Sequence, residues 1–181
     1  MLTGLNANTA TNLQLGAGVI LKSKYTTGDT LTATNILTAT NGGITFTAVP
    51  EFFTPTVDGM FDNIKGAGKA ITRWTVNLNF TAVETDAEVL LKALGCADAD
   101  ANGVITGRHT ISANDYADLY VLAEKGDNTV IQITIKNAMN TNGLNLTTTN
   151  NGNGGISFTI SGNYDISDLE TPPFEIETIA K

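Results

Sequence analysis

The chain carries little charge. Asp, Glu, Lys and Arg make up 15% of its 181 residues, against about 25% in an ordinary soluble protein. Ten basic residues face 18 acidic ones, for a net charge of −8. The basic residues are scattered, with Lys22 and Lys24, then Lys65 and Lys69, as the densest spots. Tight binding to nucleic acid needs several cations on one face to displace counterions, and no such face is legible. A single cysteine, Cys96, excludes an internal disulfide. A single histidine, His109, lies in "TGRHTIS" with no nucleophile-elbow pattern around it. Long apolar runs are missing too. The N-terminal stretch "MLTGLNANTATNLQLGAGVILKSK" has no basic residue before Lys22, and its longest apolar run, "AGVIL", is far short of a membrane span. The expectation is a product with no signal peptide and no membrane partner.

What replaces charge is uncharged polarity. Thr occurs 29 times and Asn 19 times. Thr favours strands, while Asn and Gly favour turns. Hydrophobic residues at 41% are enough for a folded core, and 181 residues suit one domain burying about 70% of its unfolded surface. Period-two runs recur. In "GITFTAV", Ile44, Phe46 and Ala48 alternate with Thr45 and Thr47. In "RWTVNLNF", Trp74, Val76, Leu78 and Phe80 share a face. In "VIQITIK", Ile131, Ile133 and Ile135 oppose Gln132, Thr134 and Lys136. In "GISFTISGNY", Ile156, Phe158 and Ile160 oppose Ser157, Thr159 and Ser161. "GVILKSK" and "DLYVLAE" are weaker strand signals. One greasy and one wet face per strand predicts an antiparallel β-sandwich, with turns at Asn41, Asn102, Asn142 and from Asn150. One segment breaks the period. "TDAEVLLKALG" puts Ala87, Leu90, Leu91 and Leu94 at helical spacing, with Thr85 and Glu88 as a capping box and Gly95 as the stop. That predicts one packed helix over about residues 86–94.

Motifs for chemistry are weak. "DADANGVI" resembles the opening of a calcium loop through Asp98, Asp100 and Asn102, but His109 stands where a bidentate glutamate is needed. "KGAGKAI" fails as a phosphate loop, because Asn63 and Ala70 occupy the required Gly and Ser/Thr places. These readings predict no catalytic residue, no cofactor and a polar turn at Asp98–Asn102.

Several stretches together resemble the major tail protein, or tail tube protein, of long-tailed bacteriophages and related prophages. They are "NLQLGAGVILKSKY", "ATNGGITFTAVPEF", "VDGMFDNIKGAGKAITRWTVNLNF", "VIQITIKNAMNTNGLNL" and "SGNYDISDLETPPFEI", in the family's order. They cover most of the chain, and the match weakens across Leu31–Thr40 and Cys96–Ala123, where nothing is carried over. The resemblance implies a β-sandwich with one helix, made in the host cytoplasm and carried in the virion. It implies hexameric rings that stack into a hollow tube through which phage DNA passes without specific binding. Tape-measure, tail-tip and terminator proteins are the other partners it implies. It implies no catalytic residues.

On this reading 1–181 is a single tail-tube domain with an N-terminal arm at 1–15, a long loop or hairpin at 25–41 and a C-terminal strand at 172–179. Pro172 and Pro173 redirect the chain before the strand of Phe174 and Ile176. The assembly surface is expected at Tyr25, Leu31, Ile36, Leu37, Pro172, Pro173, Phe174 and Ile176. The competing class is a monomeric β-sandwich binding or decoration module that displays Phe52 and Phe53.

Overall fold

The computed structural model describes residues 9–12, 14–55, 58, 69–150, 152 and 154–181. Most of the N-terminal arm expected at 1–15 therefore lies outside the described residues. A one-turn helix α1 (Thr9–Asn12) precedes β1 (Gln14–Leu21). Then follow β2 (Ile36–Thr38), β3 (Thr40–Phe53), β4 (Ala70–Ala82), α2 (Ala87–Leu94), β5 (Ala97–Ala99) and β6 (Ile105–Gly107). A single 3-10 turn at Ala113–Asp115 leads to β7 (Ala117–Lys125), β8 (Thr129–Asn140), β9 (Asn145–Thr147), β10 (Gly155–Ser161) and β11 (Phe174–Ala180).

Among the described residues all strand pairings are antiparallel, and the main path runs β2-β1-β7-β8-β10-β4-β3. β11 flanks β8, and β9 flanks β10. β8 belongs to both layers. Its first part pairs with β7 and β11, and its last two residues, Met139 and Asn140, pair with β10. The crossing is made at Asn137, which holds φ 47°. Three hydrogen bonds fix that corner. The Asn137 amide donates to Asp118 Oδ1 at 2.9 Å, and Asn137 and Asn163 exchange side-chain-to-carbonyl bonds of 3.2 and 2.7 Å. Asn is among the few non-glycine residues that tolerate this backbone region.

The alternating strands meet between the layers. Ile20, Leu37, Leu119, Val121 and Ile135 of one layer pack with Val76, Leu78, Phe80, Ile156, Phe158 and Ile160 of the other. Phe80 and Phe158 stack with centroids 4.7 Å apart. The result is the expected antiparallel sandwich with a helix on it.

Three expectations need correction. The helix cap is Asp86, whose carboxylate accepts the Val89 amide at 2.9 Å; Glu88 instead pairs with Lys22 at 2.8 Å. On the same helix the fully buried residues are Val89 and Ala93, while Leu90, Leu91 and Leu94 of the expected stripe are half-buried and Ala87 is exposed. Asn41 starts no turn. Gly42 and Gly43, at φ 82° and 86°, form an irregularity inside β3 that lets the strand continue. The third correction is to β8. Gln132 is fully buried and Thr134 nearly so, while Ile131 and Ile133 are only half-covered. The supposedly wet face of β8 is roofed by the chain between β1 and β2, where Leu21, Tyr25, Leu122 and Val130 form a second apolar cluster.

Candidate assembly surface

The outer half of the β3–β4 hairpin is a two-stranded ribbon. β10 accompanies β4 only as far as Asn77. Beyond it, Val49 to Phe53 pair with Thr75 to Ala70 alone. The released amide of Trp74 is capped by Tyr164 Oη at 2.7 Å. Arg73 Nε meets Glu51 Oε2 at 2.8 Å, and Thr75 Oγ1 meets Glu51 Oε1 at 2.9 Å. These two donors hold the Glu51 carboxyl below its usual range, Arg73 first. Phe52 and Phe53 are 57% and 58% exposed, and Val49 and Ile71 are similarly open. Consecutive residues of a paired strand leave opposite faces, so the two phenylalanines do not form one aromatic patch. Each face of the ribbon carries one.

β11 is an edge strand, paired to β8 from Phe174↔Ile135 to Ala180↔Thr129 and, among the described residues, to no other strand. Phe174 turns inward, with its ring 5.3 Å from Trp74 and 5.9 Å from Phe46. Ile176, two residues on and on the same face, is 58% exposed. The opposite face is tied down by ion pairs. Glu175 meets Lys136 at 2.5 Å, Glu177 meets Lys24 at 2.8 Å, and Lys181, just past the strand, meets Glu124. The approach to β11 is a turn whose carboxylates cap its own backbone. Asp165 accepts from Ser167, and Asp168 accepts from Glu170 and Thr171. It holds Ile166 and Leu169 out to solvent, at 93% and 67% exposure.

The residues expected at an assembly surface divide. Tyr25, Leu37 and Pro173 are buried within the protomer. Leu31, Ile36, Pro172 and Phe174 are half-buried, and Ile176 is open. The exposed aliphatic side chains of the Ile166–Leu169 turn were missed by the sequence reading. Their signal was two aliphatics inside "DISDLE", among residues that cap turns.

The remaining candidate residues are held in local structure. Asp98 lies in β5 and pairs with Arg108 at 2.9 Å. Asp100 Oδ1 accepts the amides of Asn102 and Val104 at 2.9 and 2.8 Å, which lowers its pKa, the Val104 bond first. Asn102 and Gly103 close the turn of the β5–β6 hairpin, with Gly103 at φ 82°. His109 is exposed, and Cys96 is half-buried beside the end of α2. Among the described residues no group of three His, Cys, Asp or Glu side chains is placed to hold a metal ion, and no helix is long and apolar enough to cross a membrane. A cavity of about 640 Å³ opens beside the second apolar cluster, lined by Val19, Tyr25, Leu31, Leu122 and Val130.

No protein-family model matches the chain, and no curated protein matches it. Among solved structures, a chain from the virion of a native gene transfer agent particle aligns over 91% of this chain and 96% of its own, at 13% identity and a TM-score of 0.39.

Proposed function

We propose that the chain is a structural virion protein that self-assembles into stacked, hexameric rings forming a phage tail tube. The observation that carries this reading is the β3–β4 ribbon. A two-stranded ribbon is marginal in water on its own, and this one exposes large apolar side chains on both faces. A surface of that kind is stabilised by burial against other protein. Burial on two faces suits insertion between neighbours rather than capture of one ligand. Among the described residues, β11 and the 14-residue β3 are also sheet edges with one strand partner each. Open edges invite strand pairing with another copy. Unlike edges meeting head to tail give a heterologous contact, which closes into a ring when the rotation allows. The sequence resemblance supplies the ring number and the other tail components as partners: tape measure, tail tip and terminator.

In this reading the whole of 1–181 is one tail-tube domain, the protein does no catalysis, and DNA passes without being gripped. The net charge of −8 supports that last point. The test is assembly of the purified chain, followed by light scattering and negative-stain electron microscopy across a concentration series and with tail-tip initiator added. Hollow tubes are expected, and Ile176→Asp should give folded protein without tubes. Ile176→Asp tubes indistinguishable from wild type would remove β11 from the interface. A second reading, a monomeric binding or decoration module, is favoured by the 640 Å³ apolar cavity, which is of ligand-site size. It requires a monodisperse monomer under every condition, initiator included.

A further inference from the structure

Residues 22–35 connect β1 to β2 as a closed loop lying on the outer face of the sheet. Its ends meet, with the Lys22 amide donating to Asn35 O at 2.7 Å, as in a compact surface loop whose ends are close. Within it are two small turns, Thr26–Asp29 and Thr32–Asn35, each closed by its own side chains. Among the described residues, positions 26–34 bond only inside the loop, apart from Thr32 O, which also accepts the Ile36 amide at the start of β2 at 3.1 Å. Besides the Lys22–Glu88 ion pair at its base, the loop is fastened by polar contacts near one point. The Tyr25 amide donates to Gln132 Oε1 at 2.7 Å, and Gln132 Nε2 donates to Glu177 Oε1 at 2.7 Å. Glu177 also receives Lys24 Nζ at 2.8 Å. Gln132 is fully buried, so its bond to Tyr25 is made away from water, while its bond to Glu177 is part-buried. Under the loop tip lies the 640 Å³ cavity, lined by Gly28, Asp29 and Leu31 from the loop and by Lys181 from the end of the chain. The loop is thus held at Tyr25 and underpacked beyond it.

We propose that residues 22–35 are a strap whose seating over the cavity is controlled by the C-terminal strand through Glu177 and Gln132. When β11 is in register, Glu177 orients the Gln132 amide so that its oxygen accepts from Tyr25, and it holds Lys24 in place. When β11 shifts or leaves, Gln132 loses its acceptor, Lys24 loses its partner and the strap lifts from the cavity. The strap and β11 are therefore one linked unit, although 107 positions separate Tyr25 from Gln132 and 45 separate Gln132 from Glu177. Where the tube reading holds, a neighbour that pairs with the free edge of β11 also steadies the strap. Lateral contact would then favour whatever contact the strap makes.

The test is amide hydrogen exchange on the dispersed full-length chain, so it stands apart from tube formation. Glu177→Ala should accelerate exchange at Tyr25 to Leu31 on the order of fivefold, the range expected for losing one partly exposed ion pair and one hydrogen bond. Glu51→Ala removes a comparable ion pair on the distant ribbon and should leave the strap unchanged. Equal strap exchange in the two variants overturns the linkage. Raising salt on the wild-type chain from about 50 mM to about 1 M shortens the screening length from over 10 Å to about 3 Å. It needs no substitution. Strap amides should respond more than those of Phe158 to Ile160, and an equal response overturns the proposal as well.

Discussion

Gly95→Ala should be among the most damaging single-methyl changes in this chain. Gly95 ends α2 at φ 78°, and its amide donates to Leu91 O at 3.1 Å. A Cβ there would lie 2.6 Å from the carbonyl oxygen of Asn140. That carbonyl cannot retreat easily, because Asn140 is a junction. Its side chain donates to Ala93 O and to Gly143 O, and accepts the Thr159 amide at 3.0 Å. Two costs therefore add. The left-handed backbone costs an alanine about 1 kcal/mol, and forcing a methyl into backbone costs about 1–3 kcal/mol, giving about 2–4 kcal/mol in all. For a chain of this length that is a fall in Tm of roughly 4–16 °C. Gly103 is the built-in control, with φ 82° but no atom within 4 Å of an added Cβ. Gly103→Ala should cost only the backbone part, about 1 kcal/mol. Urea unfolding of the two variants, read by far-ultraviolet dichroism, separates strain from collision. Equal losses would refute the claim that α2 is locked against β8 by close approach.

Other outcomes follow from the same contacts. Phe158→Ala should cost about 3–5 kcal/mol in urea unfolding, since it empties the centre of the core and leaves Phe80 unstacked. Lys92→Met should raise Tm slightly. Burial pushes the Lys92 ammonium below its usual range, so its charge is disfavoured in the folded chain despite Glu88 and Asp115 nearby. On the acid side, Glu177 is held low by Lys24 and then Gln132, and Asp115 by the Ser112 amide and then Arg108. Folded pKa values below the unfolded ones mean stability fully present above about pH 4 and lost as pH falls through the folded values. Thermal melts from pH 7 downward should show that loss, and Glu177→Gln should flatten it.

Much of the fold was legible because the sequence alternates cleanly where both layers contribute to one core. Ile156, Phe158 and Ile160, and Val76, Leu78 and Phe80, fell where period two placed them. Gly95 stopped the helix as a positive-φ glycine should. The error on β8 has a plain source: period two says which residues share a face, but not which face is covered. On β8 Ile131, Ile133 and Ile135 look like the core face, yet Ile131 and Ile133 are only half-covered, while a 14-residue connection about 100 positions earlier in the chain covers Gln132. Such a roof leaves no local mark in "VIQITIK". The same roof explains why Tyr25, which reads as available for a neighbour, is spent inside the protomer, whereas Leu37 is taken up by the core between the layers. The Ile166–Leu169 turn was missed for the converse reason, since two aliphatics in an acidic turn look like ordinary composition until their exposure is seen.

The ion pairs around β11 clarify what the acidic balance does. Arg73, Arg108 and five of the lysines are paired within the protomer, three of these lysines with Glu175, Glu177 and Glu124 around β11. The excess acids sit largely in turns, where Asp29, Asp100, Asp165 and Asp168 accept from backbone amides or neighbouring hydroxyls. Cations therefore hold the edge strand in place, while anions shape the loops and keep the surface negative. A negative surface opposes random association between copies, so copies that do meet must do so through apolar surface at defined places. Under the proposed reading, the ribbon of Phe52, Phe53 and Ile71, the open Ile176 and the Ile166–Leu169 turn are the candidates, all of them exposed. If the reasoning is right, adding salt should promote association of the wild-type chain by relieving repulsion, and it should fail to do so once Phe52 and Ile71 are both made polar. Light scattering at low and high salt reads this directly. Salt-driven association that survives the double substitution would move the contact away from the ribbon.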